Sequence, residues 1–226
     1  IVIPFLTYFV QDLATADGIT DVGSRDLWVG IVISVYSLAQ FIFTPILGSL
    51  SDKVGRRPIL MFGLISNTIF FTVFGLSGSL TMGVVARFLA GAGNGNIAVA
   101  RAYIGDISEP QQVAKRMGMI GAAFGLGFMI GPFIGGVLSD PSESIGAPFE
   151  GQIWINHPYL LPCLFSSALS LISFILAITR LPESLPEENR RTSEDSILKE
   201  FGGMFRKIAG VMKLPTVSSL VSINFL

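Results

Sequence analysis

Five stretches of this chain, residues 27–50, 59–76, 80–104, 117–138 and 159–179, are predominantly apolar at the length that crosses a bilayer. A hydrocarbon core about 30 Å thick takes about 20 helical residues. With no water there to satisfy backbone groups, spans of that length have to be helices. Composition agrees. Of the 226 residues, 50% are apolar and 14% charged, whereas a soluble domain carries about 25% charged residues. The mean hydropathy is +0.65. The expected class is an all-α, integral, multi-pass membrane protein with the lipid bilayer as its first partner.

Other classes are excluded in turn. A net charge of −1 supplies no field to attract nucleic acid, so no nucleic-acid partner is expected. The lone cysteine, Cys163, has no mate for an internal disulfide, and no side-chain spacing suits a metal. Neither metal nor cofactor is expected. No nucleophile–base constellation lies outside the spans, which argues against an enzyme. Glycine, at 25 residues, is frequent in the way of membrane helices that approach one another closely.

The chain begins inside an apolar run, with no signal peptide. Residues 1–10 and 216–226 are apolar but too short to cross. The sequence therefore reads as a fragment cut inside a first and a seventh span. It divides into a helix bundle over 1–180, a cytoplasmic linker with an amphipathic helix over 181–215, and the start of the seventh span over 216–226.

Orientation follows from the basic residues. Of 15 lysines and arginines, 12 fall in three alternate linkers or at their edges. They are Lys53, Arg56 and Arg57; Lys115 and Arg116; and Arg180, Arg190, Arg191, Lys199, Arg206, Lys207 and Lys213. The opposite linkers hold Arg25 alone, while Arg87 and Arg101 fall inside a span. The basic side is expected to be cytoplasmic. Ser77-Gly78-Ser79, Glu109-Pro110 and Asp140-Pro141 mark other linkers. Residues 181–195 read as a flexible linker. Beyond it, Ile197, Phe201, Phe205, Ile208 and Met212 recur at helical spacing, in a helix that Ser193 can cap. That helix lies either on the membrane surface or against protein.

The loop of residues 48–60, GSLSDKVGRRPIL, packs an acid, two glycines and three cations between two spans. Gly48 and Gly55 permit a tight reversal. Asp52 and Arg56 pair if the turn between them is helical. Pro58 suits the first turn of the next helix. Short cytoplasmic loops collect cations, but not an acid and two glycines in this order.

This loop resembles the cytoplasmic signature of the major facilitator superfamily, Gly-x-Leu-x-Asp-Lys/Arg-x-Gly-Arg-Arg/Lys, through Gly48, Leu50, Asp52, Lys53, Gly55, Arg56 and Arg57. The resemblance implies the major facilitator fold, with this chain as the N-terminal six-helix bundle of a twelve-span carrier. The partners it implies are a small-molecule substrate, protons and a C-terminal half of the same chain. It also implies that the loop joins spans 2 and 3. Its acid would dock on the other half, making Gly48, Asp52, Gly55, Arg56 and Arg57 a conformational latch. Asp106 matches a family acid that pairs with these arginines.

In the third full span, Arg87, Asn94 and Arg101 are seven residues apart, almost two helical turns, so they share a stripe. An arginine in the bilayer costs about 2.5–3.5 kcal/mol. It persists facing a cavity or a partner, or by snorkelling to an edge. RFLAGAGNG resembles a second family signature, with Ala90 where a glutamine is usual; the resemblance implies that Arg87 serves proton coupling. Tyr36, Gln40 and Asn67 either line a cavity or bond between helices. GAGNGN is not a phosphate loop, since no strand precedes it and Asn96 replaces the third glycine. Gly91 and Gly95 are read as close helix contacts.

Gly127, Gly131 and Gly135 repeat every fourth residue, which makes a smooth helix face, and Pro132 kinks the helix. The order Gly-x-x-x-Gly-Pro-x-x-Gly-Gly is complete from Gly127 to Gly136. It resembles the signature of the superfamily's drug:proton antiporters. The longer stretch 102–136 and HPYLLPCL, from His157, resemble tetracycline exporters and zinc-induced-facilitator-like carriers. His157 itself reads as a solvated loop residue. The resemblance implies a proton-coupled antiporter exporting small organic molecules. The alternatives are a facilitator or symporter for a sugar or other metabolite, which Pro182-Glu183-Ser184 resembles, and a non-transporting receptor on the same fold.

Overall fold

The computed structural model describes residues 2–139, 141 and 151–190. They form eight α-helices: α1 (Val2–Ala16), α2 (Val22–Val54), α3 (Arg56–Gly75), α4 (Leu80–Asn94), α5 (Ile97–Asp106), α6 (Pro110–Leu138), α7 (Gln152–Asn156) and α8 (Leu160–Arg180). A short 3₁₀ turn follows at Glu187–Asn189. No strand occurs among the described residues. Two compact units are present, Ile1–Arg190 and Arg191–Leu226. The amphipathic helix, its cap Ser193 and the seventh span lie outside the described residues.

Among the described residues, α2, α3, α6 and α8 are each long and apolar enough to cross a membrane. Local signals set their ends. Asp21 caps α2 by accepting from the backbone N–H of Ser24 at 2.8 Å. Ser79 caps α4 by accepting from Met82 N at 3.3 Å. Pro110 opens α6, where the missing N–H costs nothing.

The core is built at one end of the bundle from Phe5, Leu6, Phe9 and Val10 of α1, Val29 and Val32 of α2, Phe74 of α3 and Cys163 of α8. Outside it, large apolar side chains face outward, with Phe128, Met129 and Phe133 of α6 66%, 69% and 72% exposed. Such a surface is unfavourable in water and suits lipid or apolar protein. Small residues bring the inner helices together. A Cβ on Gly91 of α4 would collide with the Tyr36 carbonyl of α2, and one on Gly93 with Ser66 of α3. A Cβ on Gly75 of α3 would lie 2.7 Å from that of Cys163. Across the same contact, the Thr72 hydroxyl donates to Ser167 Oγ at 2.9 Å and Ser167 donates to the Thr68 carbonyl at 2.6 Å.

Three expectations change. The third full span is broken into α4 and α5, with Gly95 and Asn96 both helical in φ but with ψ near zero (−7° and −4°). Gly95 N turns to the Ala92 carbonyl at 3.3 Å, a tightened turn. A Cβ on Gly95 would sit 2.9 Å from Thr44 N, so the break lies where the α2 backbone presses in. The loop of residues 48–60 shrinks, because α2 stays helical to Val54 and α3 starts at Arg56. Gly55 alone joins them. Finally, α6 begins at Pro110, ahead of the expected residue 117.

Candidate functional site

Two clusters carry the polar chemistry of the bundle. The first surrounds Gly55, whose φ of 115° reverses the chain in one residue. That angle is open to glycine and strained for other residues. The Asp52–Arg56 pair closes across this turn, with Arg56 Nη1 2.5 Å from Asp52 Oδ1. The same nitrogen donates to Ser51 Oγ at 2.6 Å. On its other side, Arg56 Nε donates to Asp106 Oδ2 at 3.3 Å, which ties the turn to the end of α5. Gly48 contributes its carbonyl, which accepts from the Ser51 hydroxyl at 2.7 Å.

The residue that holds this turn shut was not foreseen. Glu183, just past α8, accepts from the backbone N–H of Arg56 at 2.8 Å and of Arg57 at 3.1 Å. Its carboxylate thus occupies the positive N-terminus of α3. Gly55 has no side chain with which to cap that helix, so the cap comes from 127 residues away. The readable signal was a helix start preceded by a bare glycine, which needs an acid from elsewhere. Ser184 donates to Asp106 Oδ2 at 3.1 Å, and Tyr103 donates to the Pro182 carbonyl at 3.0 Å. Arg57 donates to the Ile178 carbonyl in the last turn of α8 at 2.7 Å, where a cation is favoured. Residues 181–185, expected to be flexible, are docked here.

The second cluster is inside the bundle. Arg87 is 6% exposed, with its guanidinium 4.6 Å from the centre of the Tyr36 ring and 5.3 Å from that of Phe74. Each ring returns roughly 0.5–2 kcal/mol to a buried cation, against an insertion cost of about 2.5–3.5 kcal/mol. Arg87 Nε lacks a hydrogen-bond partner, and among the described residues no carboxylate pairs with Arg87. Among the described residues, Arg87 is thus buried beside two aromatic rings. Asn94 donates to the Tyr36 hydroxyl at 2.7 Å, and Asn67 donates to Asn94 Oδ1 at 3.4 Å. Tyr36, Asn94 and Asn67 therefore form one chain across α2, α4 and α3. Asn67 Oδ1 is left buried without a partner. Gln40 is half-buried on α2.

Arg101 does not join this cluster. The break at Gly95 interrupts the stripe, and Arg101 is exposed on α5. The glycine face of α6 is also shorter than expected. Gly131 and Gly135 are buried on this helix, which packs on α1, but Gly127, Pro132 and Gly136 are exposed. A Cβ on Gly127 or Gly136 would meet nothing within 4 Å. Among the described residues no cluster could hold a metal ion.

The signature loop, the glycine-proline helix and the helical bundle have parallels in known proteins. Over 195 residues the chain is 31% identical to Protein ZINC INDUCED FACILITATOR-LIKE 1 of Arabidopsis thaliana, covering 85% of this chain and 39% of that protein. Over 161 residues it is 34% identical to the class C tetracycline resistance protein of Escherichia coli, covering 71% of this chain and 39% of that one. The chain thus spans about two fifths of the length of these relatives. In fold it is similar to the human organic anion transporter MFSD10 (TETRAN), with a TM-score of 0.65 and 24% identity over 85% of this chain and 45% of that one. The profile of the Major Facilitator Superfamily matches residues 1–225. An integral, multi-pass bundle with these relatives and that match along its length belongs to the Major Facilitator Superfamily.

Proposed function

We propose that this chain is the N-terminal bundle of a secondary active transporter, a proton-coupled antiporter that exports small organic molecules. The observation that carries the reading is the interior cluster. A buried arginine stacked on Tyr36, with Asn94 and Asn67 behind it, is an expensive arrangement inside a membrane protein. Intramembrane charge of this kind marks a substrate or ion pathway. The tetracycline resistance relatives and the complete glycine-proline order of α6 favour export. The Gly55 turn, bound by Asp52, Arg56, Asp106 and Glu183, is the latch that a rocking bundle would release. The C-terminal half of the carrier would supply the remainder of the pocket.

The test is transport by the full-length protein in liposomes, with a pH-sensitive dye inside, under an imposed pH gradient. Substrate uptake driven by the gradient, with dye-reported proton counterflow, is the expected result. Uptake that ignores the gradient would instead favour a facilitator. That second reading draws on Glu183, which lies in Pro182-Glu183-Ser184 and docks on α3. Co-directional movement of proton and substrate would favour a symporter, and no uptake at all a receptor.

A further inference from the structure

One hydroxyl beside the Gly55 turn sits where a change of charge would undo the contacts around it. Ser184 is half-buried in residues 181–186, which form no helix, and its hydroxyl donates to Asp106 Oδ2 at 3.1 Å. The residue before it, Glu183, is the acid on the first amides of α3. Pro182, one further back, is tied to α5 by the Tyr103 hydroxyl at 3.0 Å. These contacts make residues 181–186 a strap across the turn. Past the strap the chain comes out into solvent, and Glu187 and Glu188, third and fourth after Ser184, are exposed.

That setting suits a protein kinase. A serine followed by acids at the third and fourth positions carries the charge pattern that a kinase with a basic substrate groove selects. A segment without helix can also be drawn out into a kinase cleft while every span stays folded.

We propose that Ser184 is a phosphorylation site for an acid-directed serine kinase, and that its phosphate lifts the strap from the Gly55 turn. In the transfer, Ser184 Oγ bonds to the γ-phosphorus of ATP, the bond from that phosphorus to the leaving ADP oxygen breaks, and the hydroxyl proton passes to the kinase's base. The product carries about −1.5 to −2 charge at neutral pH. It has no serine hydroxyl proton left for Asp106, and it faces that carboxylate and Glu183 at a range where like charges repel. The cations of the cluster are already engaged. Arg56 bonds Asp52, Asp106 and Ser51, Arg57 bonds the Ile178 carbonyl, and Arg190 pairs with Glu187. Once Glu183 is displaced, the Arg56 and Arg57 amides lose their acceptor. Ser184 is half-buried while the strap is docked, so the kinase acts on the lifted strap and the phosphate keeps it lifted. The site needs ATP on the side of the Gly55 turn, the side expected to be cytoplasmic, and is independent of the substrate and direction of transport.

The test treats the purified full-length protein in detergent with casein kinase II and ATP, and locates phosphate by peptide mass spectrometry. Phosphate on Ser184 is expected. Tyr103→Phe removes the hydrogen bond to Pro182 but leaves the kinase's recognition sequence unchanged, so it should speed modification of Ser184 about fivefold, the worth of one hydrogen bond. Phosphorylation should make hydrogen exchange at the Arg56 and Arg57 amides about tenfold faster, the worth of a lost N-cap. In Ser184→Ala, kinase treatment should leave exchange at those amides as it was. Absence of phosphate from Ser184 in both the unmodified protein and Tyr103→Phe would overturn the inference, and so would equal rates in the two. Exchange that is unchanged or slower after phosphorylation would overturn it by showing that the phosphate stays docked on the arginines. Faster exchange in treated Ser184→Ala would overturn it by placing the effect at another residue.

Discussion

Gly55 shows how much one residue can be asked to do. It turns the chain at φ 115°, and a Cβ there would lie 2.5 Å from Glu183 Oε2. Gly55→Ala therefore meets two penalties, backbone strain of about 1–2 kcal/mol and displacement of the α3 cap. A lower melting midpoint of the purified protein in detergent is expected, larger than that of Gly127→Ala, which meets open space. Equal midpoints for the two variants would refute the strain argument. Asp52→Asn is a gentler test of the latch. It removes the charge facing Arg56 but not the shape, so membrane insertion should stay near the unmodified level while transport falls. Full transport in Asp52→Asn would show that the Asp52–Arg56 pair is not part of the conformational cycle.

At the scale of the helix, close approach and open surface separate glycines that look alike in sequence. Gly91 sits on the α2 backbone, so Gly91→Leu should overpack the α2–α4 contact at a cost of about 1–3 kcal/mol. Gly127→Leu, on exposed α6, should cost far less, and a comparison of folded yield in membranes checks the difference. Capping gives a pH signature at the start of α2. The Asp21 carboxyl is held below its usual range, mainly by the backbone N–H of Ser24. A depressed carboxylate contributes stability at pH above its ordinary value and loses it as pH falls through the depressed one. The melting midpoints of the unmodified protein and of Asp21→Ala should therefore differ at neutral pH and converge in acid. The helices themselves were legible because span length and capping residues are local properties. Glycine spacing also announced that Gly91 and Gly95 are close contacts. It could not announce that α2 presses on Gly95 hard enough to break the span, since that depends on a neighbour some fifty residues earlier (Thr44).

For the molecule as a whole, the basic linkers are expected to be cytoplasmic. A cysteine at Gly78, between α3 and α4, should react with an impermeant thiol reagent from outside, and one at Gln111, at the start of α6, should not. Cys163 is buried and adds little background; the reverse pattern would invert the topology. The family and the Gly55 turn could be read from contiguous residues, whereas Glu183 could not, because its partner lies 127 positions earlier. That separation has a consequence for biogenesis. At synthesis rates of about 5–20 residues per second, Glu183 leaves the ribosome roughly 6–25 s after Arg56. Throughout that interval α2 and α3 can stand in the membrane as a hairpin, but the first amides of α3 have no acid on them. The last helix of the bundle therefore brings the part that closes its first sharp turn. A nascent chain stalled before residue 181 is expected to show rapid hydrogen exchange at Arg56 and Arg57, and release past residue 183 should protect both amides together.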